Sequence, residues 1–352
     1  MKRQCNDIDI VVKSQQFDAF RAAMLAMAKN RGYHATVGNV SMLNCANKSK
    51  WKFYRAELSV LGKTYQIDIR EMASNLRKDA ESRDFTINAI YIDIEQNCLQ
   101  DFVSGTQDLH EGILRGCSDP KTVFSDKARA IRMHRFYLNY DFKLDQELLD
   151  AAKELKISTG DRIPAIISET IKVIHSPLRY SILRSLALNS STTIILQAFV
   201  RDFSNKMNYF MFNQDLIAIC QAFESNSAKI QTPCPIYGKL DETILLKIML
   251  SFIMLCSMPK STQWHIKDYQ VQSSLLVARF FGNQYRNSVW IDKLLLLMVI
   301  TAKDDYIIND QDFKDSIVGQ LPLPIAVIMA TSAQCGDRAR SLLADSVKSS
   351  IV

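Results

Sequence analysis

Three strongly polar side chains sit at fixed offsets inside an apolar run at Ser82-Arg83-Asp84-Phe85-Thr86-Ile87-Asn88-Ala89, and a fold that buries this run must give each of them a partner. If residues 85–90 turn as a helix, Asp84 and Asn88 stand four apart on one face, where a carboxylate and an amide can grip one small polar ligand. A second reading makes Asp84 the N-cap of that helix and Arg83 a surface charge. The residues alone leave both open.

Upstream, Asn6-Asp7-Ile8-Asp9-Ile10-Val11-Val12 alternates polar and apolar residues before a β-branched run, the pattern of a strand with one functional face. Asp7 and Asp9 would then point the same way, about 7 Å apart, and repel each other unless a cation lies between them; oxygen ligands favour magnesium. In Tyr65-Gln66-Ile67-Asp68-Ile69 the alternation buries Ile67 and Ile69 and turns Asp68 to the other face. There it can join the first two acids, or act only as a turn former at a strand end. Helical spacing over residues 14–30, with Phe17, Phe20, Met24 and Met27, predicts an amphipathic helix covering the sheet. Further strands are expected over residues 35–40, 51–60, 63–69 and 89–94.

Downstream, residues 124–136 (Phe124-Ser125-Asp126-Lys127-Ala128-Arg129-Ala130-Ile131-Arg132-Met133-His134-Arg135-Phe136) read as one helix that is apolar all round and so lies between other elements. Buried Asp and Arg need partners. Asp126 and Arg129, at i and i+3, can offer an acceptor and donors to a nucleobase edge, or can satisfy each other in an internal salt bridge. His134 reads as a helix residue satisfied locally. From residue 145 onward the chain is Gly-poor and helical, with helices expected over residues 244–255 and 293–302 and turns near Gly160, Pro177, 232–235 and Asn283.

The central octapeptide resembles the arginine–aspartate motif RRDxTINA of the tRNA nucleotidyltransferases and bacterial-type poly(A) polymerases, with Ser82 in place of the first arginine. The Asp7-x-Asp9 pair is similar to that family's metal-binding acids, and Asp68 falls where the family has a third. Residues 101–109 resemble its D-x-x-x-G-x-x-D-L segment, in which Gly105 permits a tight turn and Asp108 braces backbone amides. Residues 125–132 resemble its E/D-D-x-x-R-x-x-R motif, with Ser125 for the leading acid and Asp126, Arg129 and Arg132 retained. Residues 157–163 resemble its neck, and residues 47–50 its short lysine-containing link.

The resemblance covers residues 6–175 and implies a eukaryotic-type (class II) α+β protein. A small mixed or antiparallel nucleotidyltransferase sheet, of the polymerase-β kind, forms a head over residues 1–118. An all-α neck (119–176) and body with tail (177–352) follow. It also implies Mg2+ held by Asp7, Asp9 and Asp68, sugar and phosphates held by Arg83, Asp84 and Asn88, and a base selected by Asp126 and Arg129, with Arg132 also binding the nucleotide. The implied enzyme is a monomer that adds CMP and AMP to the tRNA 3′ end from CTP and ATP. Partial activities (CC, A or oligo(A) addition) and an inactive RNA-binding remnant share the same motifs.

Two departures stand out. The family has a glycine-rich strand and helix before its D-x-D, where six residues precede Asp7 here; a misplaced start, a truncated gene or lost phosphate binding would each explain this. The flexible loop that the family carries between its third acid and the central motif is also shortened, to residues 70–83.

Composition agrees without deciding. At 352 residues and 47 % hydrophobic, the chain can build two or three cored domains, and its net charge of +6 tolerates a polyanion without requiring one. The eight cysteines (5, 45, 98, 117, 220, 234, 256, 335) lack C-x-x-C spacing and read as reduced thiols of an intracellular protein. The apolar runs at 248–258 and 294–297 are too short to span a bilayer. No signal or transit pattern opens the sequence, so a cytoplasmic protein is expected, or a nuclear or mitochondrial one if an extension precedes Met1.

Overall fold

The computed structural model describes residues 7–38, 41–44, 50–72, 74–200, 209–225, 242–257, 266–281, 295 and 298. The link at 47–49, the turns at 232–235 and 283, and all of the helix expected over 293–302 except Leu295 and Met298 lie outside them. The chain divides into two compact units, Met1–Ser125 and Asp126–Val352.

In the first unit, β1 (Asp7–Val12) leads through a short 3-10 turn into α1 (Phe17–Asn30). Strands β2 (His34–Val37), β3 (Ser41–Asn44), β4 (Lys50–Val60) and β5 (Lys63–Glu71) follow. The sheet order is β1-β5-β4-β2 with β3 also on β4; β1 runs parallel to β5 and the other pairs are antiparallel. Of the mixed or antiparallel sheet that the resemblance implies, the mixed form is found, with β3 as an unforeseen member. Leu61 and Gly62 both take positive φ (50° and 75°), the two-residue turn whose twist suits a hairpin between β4 and β5. Under the sheet, Phe17 of α1 meets Tyr54 edge-on at 5.2 Å, and Val12, Ala56, Ile67 and Ile69 complete that core.

After β5 the chain forms α2 (Leu76–Glu81), capped by the Asn75 side chain, which accepts the Lys78 N–H at 2.9 Å. Where the sequence shows only a short charged link, the cap and the buried Ala80 make a helix. Residues 85–90 do not form the helix considered above. Phe85 is extended (φ −122°, ψ 146°) and bridges Gly116, Thr86 N–H donates to Arg115 O, and Cys117 N–H donates to Asp84 O. Those tertiary bonds leave a single 3-10 turn, Thr86–Asn88, before β6 (Ile90–Asp93).

The hairpin partner β7 (Cys98–Asp101) leads to α3 (Gly105–Glu111), β8 (Ile113–Leu114) and α4 (Pro120–Val123). The roles expected of Gly105 and Asp108 change. A Cβ on Gly105 would lie 2.1 Å from the Thr86 carbonyl oxygen, so glycine is needed here for close approach of α3 to the central motif, and the left-handed residue is Ser104 (φ 62°). Asp101, not Asp108, gathers backbone amides, those of Val103, Gly105 and Thr106. Burial is the largest single effect and raises its pKa, but the Thr106 hydroxyl and these three amide bonds together outweigh it and bring the pKa down to about 2. Asp108 instead accepts the Thr86 hydroxyl at 2.7 Å and pairs with Arg115 at 3.3 Å.

Among the described residues the second unit is helical apart from the short β9 (Lys143–Leu144) and connecting turns: α5 (Ala128–Tyr140), α6 (Gln146–Lys153), α7 (Ile163–Ile174), α8 (Arg179–Leu188), α9 (Thr193–Phe199), α10 (Tyr209–Ser225), and two further helices, Glu242–Cys256 and Ile266–Phe281. Helix α5 packs on α7 and α8, burying Ile131, Met133, Ile166, Ile182 and Leu186. His134 is fully buried there, its ring nitrogens bonded to Ser185 (3.0 Å) and Ser191 (3.1 Å). Burial alone brings its pKa down to about 3, so it is neutral at pH 7. Among the described residues no helix is long and apolar enough to cross a membrane.

Candidate functional site

Asp9 and Asp68 are Cα partners across the parallel β1–β5 pair, so both occupy the same row of the sheet. Asp9 is exposed, whereas the Asp68 side chain is 18 % exposed because Arg55, its partner across β4–β5, covers it. The Arg55 guanidinium takes both carboxylate oxygens, Nε to Oδ1 at 2.7 Å and Nη2 to Oδ2 at 2.8 Å. The backbone of Asp7 lies two residues before Asp9, opposite Gln66 on β5. Among the described residues there is no group of three or more His, Cys, Asp or Glu placed to hold a metal ion. The donor chemistry of Asp9 and Asp68 fits a hard divalent cation, since both offer only carboxylate oxygen, although Arg55 would have to release the Asp68 oxygens to one.

The central motif forms a second group in the same unit. Asn88 Nδ2 donates to Asp84 Oδ1 at 3.1 Å, and the same oxygen accepts the Phe85 N–H at 2.8 Å. Neither reading of the sequence holds in full: no helix forms, the turn starts from Phe85 with no side-chain cap and Arg83 is largely buried, but Asp84 and Asn88 are brought together by their hydrogen bond. Arg83 lies with its guanidinium 5.4 Å above the Tyr91 ring and its Nε 3.4 Å from Asp79 Oδ2. Burial works against the Arg83 charge, but Tyr91, Asp79 and Asp9 outweigh it and raise the pKa, so the guanidinium stays charged and feels the acid of β1. Ser82, where the resembling motif has arginine, ends α2 by donating its hydroxyl to Asp79 O at 2.7 Å.

Asp79 is the residue that the sequence did not single out. It is wholly buried and accepts bonds from Arg70, Arg83 and the Tyr91 hydroxyl (2.7 Å). Burial, ahead of the mixed effects of its charged neighbours, raises the Tyr91 pKa. The available signal was an acid four residues before Arg83 and next to an apolar alanine, the i, i+4 spacing of a helical ion pair.

The expected base-reading residues lie in the other unit. Helix α5 starts at Ala128 and not at Phe124, because Pro120–Val123 forms its own turn and Asp126 sits in the connection. Asp126 Oδ1 accepts the Ala128 N–H at 3.2 Å and Oδ2 pairs at 3.2 Å with Arg162, just before α7, a partner other than the Arg129 considered from sequence. The Arg129 N–H donates to Asp126 O at 3.1 Å, which holds the two residues in register. Arg132 lies 4.8 Å above the Phe136 ring and 3.8 Å from Glu169, a buried α7 carboxylate that also pairs with Arg135 at 3.1 Å and Lys172 at 2.6 Å.

Residues 1–115 match the poly(A) polymerase head domain. The chain is 31 % identical to poly(A) polymerase I of Salmonella typhi over 104 residues, which is 29 % of this chain and 22 % of that protein. It is 40 % identical to the CCA-adding enzyme of Streptococcus gordonii over 78 residues, 22 % of this chain and 19 % of that one. The similarity thus spans about a fifth of the length of these relatives. A solved tRNA-processing enzyme in its apo form shares the fold at a TM-score of 0.52 and 15 % identity, covering 98 % of this chain and 87 % of that one. Over residues 1–115 the chain is accordingly similar to the heads of poly(A) polymerases and CCA-adding enzymes.

Proposed function

We propose that the chain is a metal-dependent, template-independent nucleotidyltransferase that adds CMP and AMP to the 3′ end of tRNA, building or repairing CCA. The observation that carries this reading is the pairing of Asp9 with Asp68 in the same unit that groups Arg83, Asp84 and Asn88. Asp7, Asp9 and Asp68 would hold magnesium, which when bound supplies a lowered pKa for an RNA 3′-hydroxyl and neutralises phosphate charge. Arg83, kept charged inside the fold, offers positive charge to a triphosphate, and the Asp84–Asn88 pair offers an acceptor and a donor to ribose hydroxyls. In the helical unit Asp126 provides an acceptor for the exocyclic amine of cytosine or adenine, Arg129 provides donors for ring acceptors, and Arg132 provides charge for phosphate.

Oligo(A) addition is the second reading, favoured by the likeness of the head to poly(A) polymerase I. An inactive RNA-binding descendant is the third, favoured by Ser82 and Ser125 in place of motif residues and by the arginine clamped on Asp68. The test is to incubate the full chain with magnesium and tRNA lacking its CCA, supplying CTP, ATP or both, and to sequence the 3′ ends. Ordered C, C, A addition supports the proposal. A-tracts from ATP alone move the assignment to oligo(A) addition, and tRNA binding without extension removes the enzyme reading.

A further inference from the structure

Resting on that reading of Arg83, we infer that Asp79 is a positioning residue for the nucleotide site: it holds the Arg83 guanidinium in the orientation that meets the triphosphate. One buried carboxylate ties together the strand that carries Asp68 through Arg70, the helix before the central motif, and the strand after it through Tyr91. Arg83 is fixed from two sides, by Asp79 at its inner nitrogen and by the Tyr91 ring beneath the guanidinium carbon; the same tyrosine donates its hydroxyl to Asp79. Two guanidinium groups meet one carboxylate, so the cluster keeps a net positive charge. That charge lies within electrostatic reach of Asp9, which is where an anionic phosphate would approach a metal held by the acids. A carboxylate used only to neutralise surface arginine would be exposed; this one has no exposed surface, and its Oδ1 has no hydrogen-bond partner. Its position is maintained by the groups it orients.

The test measures binding of ATP and CTP to the full chain with magnesium and no RNA, so that no turnover is needed. The variants are Asp79→Asn, Arg83→Gln, the double variant and Tyr91→Phe, with thermal melting as the folding check. Loss of a charged hydrogen bond predicts about a tenfold weaker nucleotide affinity for Asp79→Asn, and no further loss in the double variant beyond Arg83→Gln alone. Tyr91→Phe keeps the buried charge pair, so it remains folded if Asp79→Asn does not, and is expected to weaken binding about threefold. Unchanged affinity in Asp79→Asn, additive losses in the double variant, or, where Asp79→Asn is unfolded, a Tyr91→Phe protein that binds as wild type would overturn the role of Asp79 while leaving the transferase reading intact. Nucleotide binding with no RNA extension does the reverse, and a wild-type chain that binds neither nucleotide overturns both.

Discussion

Each unit contains a buried carboxylate with several cations around it, and the two are built differently. In the head, Asp79 has no exposed surface and draws its partners from residues 70, 83 and 91, all within twelve positions. In the helical unit, Glu169 is 7 % exposed at its side chain, uses both oxygens, and joins α7 to Arg132 and Arg135 of α5; its third partner, Lys172, is half-exposed. A carboxylate sealed from water depends wholly on its partners, while one at a helix interface can exchange a lysine for solvent. Asp79 should therefore behave as a rigid element of the head, and Glu169 as an adjustable fastening between helices.

The comparison breaks first at Asp79. Asp79→Ala leaves Arg70 and Arg83 without their buried anion and should lower stability by about 3–5 kcal/mol, measured by urea unfolding. A loss under about 1 kcal/mol would mean that water replaces the carboxylate easily.

The next effect sharpens the contrast with a buried group that is neutral. The folded pKa of His134 is held below its unfolded value, so its contribution is complete above about pH 6.5 and is lost as the pH falls toward the folded value of about 3. Between pH 7 and pH 4 the wild type should lose roughly 2–4 kcal/mol more stability than His134→Gln. Parallel pH profiles for the two proteins would remove His134 as the cause.

Glu169→Gln retains shape and part of the hydrogen bonding, and is expected to cost about 1–3 kcal/mol. The smallest effect belongs to Lys172→Gln, within about 0.5 kcal/mol because its ammonium is half-exposed. A Lys172 effect as large as that of Glu169 would abolish the distinction between the two clusters.

Much of this was legible in the sequence wherever a local rule sufficed. Period-two alternation placed Asp9 and Asp68 on strands with Ile67 and Ile69 buried, and helical spacing found α1 and the helix Glu242–Cys256. Family likeness and composition together anticipated a sheet-bearing head followed by helices. What escaped depended on distant partners. The motif at 84–88 resembles a helix start, but bonds to residues 115–117 pull Phe85 into an extended conformation. Gly105 looks like a turn glycine until the Thr86 carbonyl is seen against it, and Asp79 looks like one more charge in a short link until three elements close over it. Arg55 was unremarkable by composition; only strand register brings it onto Asp68.

The most direct measurement compares wild type with Asp9→Asn and Asp68→Asn in the tRNA extension assay, with folding verified by circular dichroism. The account predicts nucleotide addition by the wild type and a loss of about a hundredfold or more in each folded variant, since each would remove charge from the cation site. Extension that continues at the wild-type rate in both variants would contradict it.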